Sequence, residues 1–164
     1  MNLSQVYTPE RPPLVLNART AADLMTPNPV SLRETVTAGE AAAFLTERGI
    51  SAAPVINEAG APVGVLSQTD LVVHDRETMD SLAARRRRGE KFRQPAEDEA
   101  LVRDLMTPTV FTVRLEAPAA QVVEDMLALR VHRLFVVDDD DVLVGVVAAT
   151  DVLRRLEPAP GDEA

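Results

Sequence analysis

Two aspartates, Asp70 and Asp151, stand 81 residues apart, each directly after a threonine, Thr69 or Thr150, at a position suited to open a helix. A carboxylate so placed can accept hydrogen bonds from two neighbouring hydroxyls, as a sugar diol offers them, or it can cap its own helix. Ser67, three residues before Asp70, adds a hydroxyl, and with the amides of that helix start it can approach a phosphate. The third chemical feature is VHRLFVV, Val131–Val137, an apolar run broken by His132 and Arg133. In an alternating strand these two point to opposite faces, so while one sits in solvent the other needs a partner. The planar fork of arginine suits an anion that offers two oxygens. The plainer alternative makes His132 a satisfied core histidine and pairs Arg133 with Asp125 or a linker carboxylate.

The elements that must position these residues follow from a repeat. A shift of 81 lays Asp23-Leu24-Met25-Thr26-Pro27 on Asp104-Leu105-Met106-Thr107-Pro108, Gly64-Val65 on Gly145-Val146 and Thr69-Asp70 on Thr150-Asp151. Without a gap, 13 of the 50 positions from 23 to 72 match, which is an internal duplication. Each copy runs through the same periodicities. An extended piece (Val30–Leu32; Phe111–Val113) follows the Met-Thr-Pro turn, and a helix of about three turns comes next. Thr37 with Glu40 forms a capping box in the first copy, and Pro118 opens the helix of the second.

Two strands follow in each copy, Ala53–Ile56 and Val63–Leu66, then Leu134–Val137 and Leu143–Val147, joined by Asn57-Glu58-Ala59-Gly60 and by four aspartates, Asp138–Asp141. The aspartate run lacks the alternate spacing and closing glutamate of a calcium loop and reads as a solvated hairpin tip. The expected fold is α/β in the α+β sense: two β-α-β-β-α repeats, residues 18–75 and 103–157, packed around a pseudo-twofold axis. Neither repeat buries enough surface alone. Residues 1–17 read as an N-terminal arm, 76–102 as a partly helical linker whose segment Glu77–Ala84 extends the preceding helix, and 158–164 as a tail.

Composition limits the function classes. The 164 residues are 46% hydrophobic, 26% charged and 3% aromatic, so the core must come from Val, Leu, Ala and Met. With no Cys there is neither disulfide nor thiolate metal site. No apolar run has the length of a signal peptide or a membrane span, and the expectation is a cytoplasmic protein without membrane contact. A net charge of −9 argues against general nucleic-acid binding; Arg85–Arg88 with Lys91 and Arg93 is the local exception. Enzymatic chemistry has little to work with: His74 and His132 are the only histidines, and there is neither a phosphate-cradling glycine loop nor a metal-ligand spacing.

Leu-Met-Thr-Pro at each start and Gly-hydrophobic-x-(Ser/Thr)-x-x-Asp at each close resemble the tandem cystathionine-β-synthase-type (CBS) domains, the Bateman module. The resemblance covers residues 18 to 157 apart from the linker. It implies a regulatory module, not a catalyst, with two clefts between the repeats for AMP, ADP, ATP or S-adenosylmethionine, and often a disc-like homodimer. In the family each cleft joins the closing motif of one repeat to the first and second strands of the other. Carried over, one cleft holds Val65, Ser67 and Asp70 with Val110, Phe111, Val131, His132 and Arg133. His132-Arg133-Leu134 is similar to a stretch of the regulatory gamma subunit of AMP-activated protein kinase, where the matching pair contacts the nucleotide phosphate. The other cleft, with Ser51, Ala52, Thr150 and Asp151, departs from the pattern: Ala148 and Ala149 stand where a hydroxyl would help, and Ser51-Ala52 replace His-Arg. The expectation is one competent site and one weak one, with output through an unknown effector protein. The competing readings are a ligand-free dimerisation scaffold and nucleotide-gated nucleic-acid binding through Arg85–Arg88.

Overall fold

The structure is a computed structural model that describes residues 12–89 and 100–159. Lys91, Arg93, the linker stretch 94–99, most of the N-terminal arm and most of the tail lie outside the described residues. In chain order the elements are β1 (Leu14–Leu16), α1 (Ala21–Leu24), β2 (Thr26–Pro27), β3 (Leu32–Arg33), α2 (Ala38–Arg48), β4 (Ala52–Ile56), β5 (Pro62–Ser67) and α3 (Gln68–Arg87). After the linker come α4 (Val102–Leu105), β6 (Thr112–Arg114), α5 (Ala119–Leu129), β7 (Arg133–Val137), β8 (Leu143–Ala148), α6 (Ala149–Arg154) and β9 (Leu156–Pro158).

The duplication is visible in the sheets. In the first copy β3 runs parallel to β4, which pairs antiparallel with β5; in the second, β6, β7 and β8 repeat the arrangement. A short ribbon, β1 with β9, joins the two ends of the described chain. In α2 the buried Ala38, Ala41 and Leu45 recur at helical spacing, as Ala119, Val122 and Met126 do in α5. The α2 cap is reciprocal: Glu40 N–H donates to the Thr37 hydroxyl at 3.3 Å, and Thr37 N–H donates to the Glu40 carboxylate at 2.9 Å.

The leading segments belong to the opposite copy. Sequence periodicity gave no helix at Ala21 or Val102, because four residues are too few to show a period, and isolated turns this short do not persist in water. Tertiary contact forms them. Ala21 and Ala22 N–H of α1 donate to the carbonyls of Ala117 and Leu115 at 2.8 and 3.1 Å, in front of the second copy's helix. Val102 and Arg103 N–H of α4 donate to Val36 and Glu34 at 2.9 and 3.0 Å, in front of the first copy's helix. The first two orphan amides of each short helix are thus satisfied by the other copy. Buried Ala21 and Leu24 complete the core built on Val122, Leu134 and Val147, and buried Val102 completes the one built on Leu45, Val55 and Leu66.

The Met-Thr-Pro segments, expected as turns, are the seams of this exchange. β2 pairs antiparallel with β8, Thr26 opposite Val146 and Pro27 opposite Gly145. Thr107 bridges to Val65, with N–H···O bonds of 3.0 and 2.9 Å in both directions. The repeated glycines are what let the methionines in. A Cβ on Gly64 would lie 2.5 Å from Met106 Sδ and 2.8 Å from the Thr107 carbonyl oxygen, and one on Gly145 would overlap Met25 Sδ.

Two predictions arise from helix ends. Gly49 closes α2 at φ 63°, and at the equivalent place Arg130 closes α5 at φ 54°, a left-handed conformation that costs a side chain about 1–2 kcal/mol. Arg130→Gly is therefore expected to stabilise the protein by about 1 kcal/mol in a denaturant titration. Asp23 accepts from the backbone N–H of Arg19 and Thr20 (2.9 and 3.1 Å), and Glu40 accepts from Thr37 N–H (2.9 Å) and hydroxyl (3.0 Å). These bonds hold both carboxyls below their ordinary values, those to backbone N–H contributing most. A carboxyl depressed in the folded state gives stability above its unfolded value and loses it as pH falls through its folded one. Melting temperature should accordingly drop below about pH 4, and Glu40→Gln should make that drop shallower.

Candidate functional site

Between the two three-stranded units lies a cavity of about 900 Å³, at the upper end of the range for small-molecule sites. Its wall is made twice over. Pro29 and Val110, Val30 and Phe111, Ile50 and Val131, Pro54 and Phe135, and Val65 and Val146 all line it, each pair related by the shift of 81. These residues arrive by two routes. The strand pairs β4–β5 and β7–β8 supply the sides, while the exchanged Met-Thr-Pro segments carry Thr26, Pro29 and Val30, and likewise Thr109, Val110 and Phe111, to the rim.

The polar groups break the symmetry. Ala52 of the first copy corresponds to Arg133 of the second, and both line the cavity, so cationic side chains come from the second copy alone. His132 and Arg133 are both exposed, contrary to the alternating-strand expectation. The reason is local: β7 starts only at Arg133, so His132 sits in the bend before it, and burial begins at Leu134. Among the described residues neither side chain has a hydrogen bond or an ion pair, so Arg133 is not joined to Asp125.

Of the residues expected in the first cleft, Val65, Val110, Phe111, Val131, His132 and Arg133 line this cavity, and Ser67 and Asp70 do not. Those two are engaged with each other at the start of α3. One Asp70 oxygen accepts from Ser67 N–H at 2.8 Å and from the Ser67 hydroxyl at 2.7 Å, while Asp70 N–H donates back to that hydroxyl at 3.3 Å. Of the second cleft, Ala52 and Asp151 line the cavity; Ser51 and Thr150 are exposed and outside its wall.

Asp151 is therefore the carboxylate of the cavity wall. It accepts from Ala148 N–H at 2.8 Å, the counterpart of the Asp70–Ser67 bond, but Ala148 brings no hydroxyl to compete for it. Among the described residues its other oxygen meets Arg154 alone, 3.5 Å away on the exposed side of α6. Ala148 in turn lies opposite Arg133 in the β7–β8 register. Asp151 and Arg133 thus rise from neighbouring positions of one repeat, a proximity across a hairpin that no linear spacing displays. The signal present in the sequence was the change from Ser67 to Ala148, which leaves the Asp151 oxygen bonded to Ala148 N–H without the second, hydroxyl bond that the matching Asp70 oxygen accepts.

The described residues include no helix long and apolar enough to cross a membrane. The sequence profile of the CBS domain matches residues 21–77 and 102–158. Among curated proteins the chain is similar to the uncharacterized protein MK0525 of Methanopyrus kandleri, 31% identical over 124 residues, which is 76% of this chain and 55% of that protein. The chain thus spans about half of that relative's length. Among solved structures it resembles CBSX2 in complex with AMP, with 28% identity and a TM-score of 0.61 over 84% of this chain and 95% of that one. It also resembles the cytosolic domain of the Mg2+ channel MgtE in complex with ATP, with 30% identity and a TM-score of 0.62 over 85% of this chain and 49% of that one. Two profile matches, each beginning at a leader helix that completes the other copy's core, accord with the duplicated fold described above, and the chain belongs to the CBS domain family as a tandem pair, or Bateman module.

Proposed function

We propose that this protein is a regulatory adenine-nucleotide-binding module, not an enzyme, with one competent site in the cavity between its repeats. The observation that carries the reading is the pairing, in one mostly apolar cavity of about 900 Å³, of the Asp151 carboxylate, whose bond from Ala148 N–H has no hydroxyl beside it, with His132 and Arg133, whose side chains have no partner among the described residues. The apolar walls suit a purine, Asp151 suits the ribose diol, and Arg133 with His132 suits the phosphate. AMP and ATP in the CBSX2 and MgtE structures support adenosine ligands as the class to try first.

The wall comes from both repeats and from both exchanged leaders, so a bound nucleotide touches four segments at once. Coupling to an effector then requires that the ligand bind one arrangement of the repeats better than another. A thermal-shift screen of AMP, ADP, ATP and S-adenosylmethionine tests the reading. A binder at one hundred times its dissociation constant should add about 2.7 kcal/mol of stability. No shift with any of the four overturns it in favour of a ligand-free scaffold.

A further inference from the structure

The cavity wall is poor in ionisable groups. Among the described residues that line it they are His132, Arg133 and Asp151, and all three belong to the second repeat. At neutral pH a guanidinium is cationic and a carboxylate anionic, so Arg133 and Asp151 cancel. The net charge of the wall is therefore set by His132: none with a neutral imidazole, a single positive charge with a protonated one. Imidazole is the side chain whose charge changes within the physiological range, at about pH 6.5 in water.

The surroundings leave that proton to the ligand. The charged groups on the elements around His132 are Arg130 at the end of α5, Arg133 at the start of β7, and Asp151 and Arg154 on α6. Strand β8 carries none, and neither does the first repeat's share of the wall. The imidazole is exposed and has no hydrogen bond or ion pair among the described residues. Its backbone is held, because the His132 carbonyl accepts from Ala149 N–H at 2.9 Å at the start of α6. The ring thus stands at a fixed place in the wall with its nitrogens unengaged. A phosphate monoester entering there brings up to two negative charges, and Arg133 answers one of them. A proton on His132 answers the second, and an opposite charge at hydrogen-bond range favours the charged imidazole. Adenosine without its phosphate makes no such demand.

We infer that His132 makes nucleotide binding proton-linked: it takes a proton from solvent as the phosphate enters, so the cavity separates phosphorylated from unphosphorylated adenosine, and more sharply as pH falls. The inference rests on the nucleotide reading above. Isothermal titration of AMP, or of ADP or ATP where the screen prefers one of them, at roughly pH 8, 7 and 6.5 tests it. If the bound phosphate makes the imidazole hold its proton tenfold tighter, affinity should rise about fourfold from the highest pH to the lowest. Near pH 7 about half a proton should then be taken up per nucleotide, read from the difference in heat between Tris and Hepes buffers. His132→Gln keeps a polar side chain that does not titrate, and it supplies the baseline for the ligand's own phosphate, which titrates near pH 6. Both the rise and the uptake should fall to that baseline. His74→Gln, which alters the other histidine, on α3 and outside the wall, should respond as the unaltered protein does. Adenosine should bind with no dependence on pH. A flat profile with the phosphorylated ligand, a slope that survives His132→Gln or is lost with His74→Gln, or an equal slope with adenosine overturns the proton link and leaves the nucleotide reading standing. No binding of AMP, ADP or ATP at any of these pH values overturns the link as well, and the reading beneath it falls too if S-adenosylmethionine also fails to bind.

Discussion

Gly64→Val should destabilise the protein by about 3 kcal/mol or more, and Gly64→Ala by about 1–3 kcal/mol, in urea or thermal unfolding. An added Cβ meets Met106 Sδ at 2.5 Å and the Thr107 carbonyl oxygen at 2.8 Å. The sulfur sits on a flexible side chain and can move. The carbonyl cannot, because Thr107 O accepts from Val65 N–H at 3.0 Å while Thr107 N–H donates to Val65 O at 2.9 Å, so retreat breaks the bridge that docks the second leader on the first core. Gly145 offers the contrast. All three of the nearest atoms to its added Cβ belong to the Met25 side chain, among them Cγ at 3.0 Å and Cβ at 3.1 Å. Met25→Ala should therefore relieve most of the Gly145→Ala penalty, whereas Met106→Ala should relieve only part of the Gly64→Ala penalty. A double-mutant cycle at each seam measures the difference. Equal rescue at both would show that Thr107 is free to shift and that the seams are alike.

Arg133→Ala should weaken AMP binding about ten- to a hundredfold in isothermal titration, the loss expected of one hydrogen-bonded ionic contact, with little change in melting temperature. Stability should hold because the guanidinium has no partner among the described residues and is exposed. Asp151→Asn should weaken binding by about tenfold or more, since an amide cannot accept from both hydroxyls of a diol on the same terms as a carboxylate. Asp70→Asn should act on stability instead, because Asp70 is held by the Ser67 N–H and hydroxyl at the start of α3. The opposite pattern, affinity lost with Asp70→Asn and kept with Asp151→Asn, would return the ligand to the cleft that the family resemblance implies. If none of AMP, ADP, ATP and S-adenosylmethionine binds the unaltered protein, the proposed function itself fails, and the three variants then say nothing about which aspartate serves it; if another of the four binds in place of AMP, the variants are titrated with that ligand.

The exchanged leaders tie these two predictions together. Met25 packs against Gly145 just before Thr26, Pro29 and Val30 reach the cavity, and Met106 against Gly64 just before Thr109, Val110 and Phe111 do. A variant that lifts a leader from its seam therefore also moves the rim of the site. Nucleotide affinity measured on Gly145→Ala should fall together with stability and recover with Met25→Ala.

Much of this protein was legible in its residues alone, because the relevant physics was local. The Thr37–Glu40 box and the extension of the helix from Asp70 into Glu77–Ala84 depend on neighbours a few positions apart, and the repeat at a shift of 81 is read by laying the chain on itself. The repeat also singled out Met25, Met106, Gly64 and Gly145 without saying why they recur. Only the tertiary structure joined each methionine to the glycine of the other copy, since that fit depends on how two cores exchange their leading helices. The same holds for the site. Sequence chemistry named a carboxylate and a cation as the two ends of a ligand, but which aspartate shares a wall with Arg133 follows from the β7–β8 register, which sets Ala148, whose N–H Asp151 accepts from, opposite Arg133. Those contacts are set across a hairpin and between repeats, where distance along the chain carries no information.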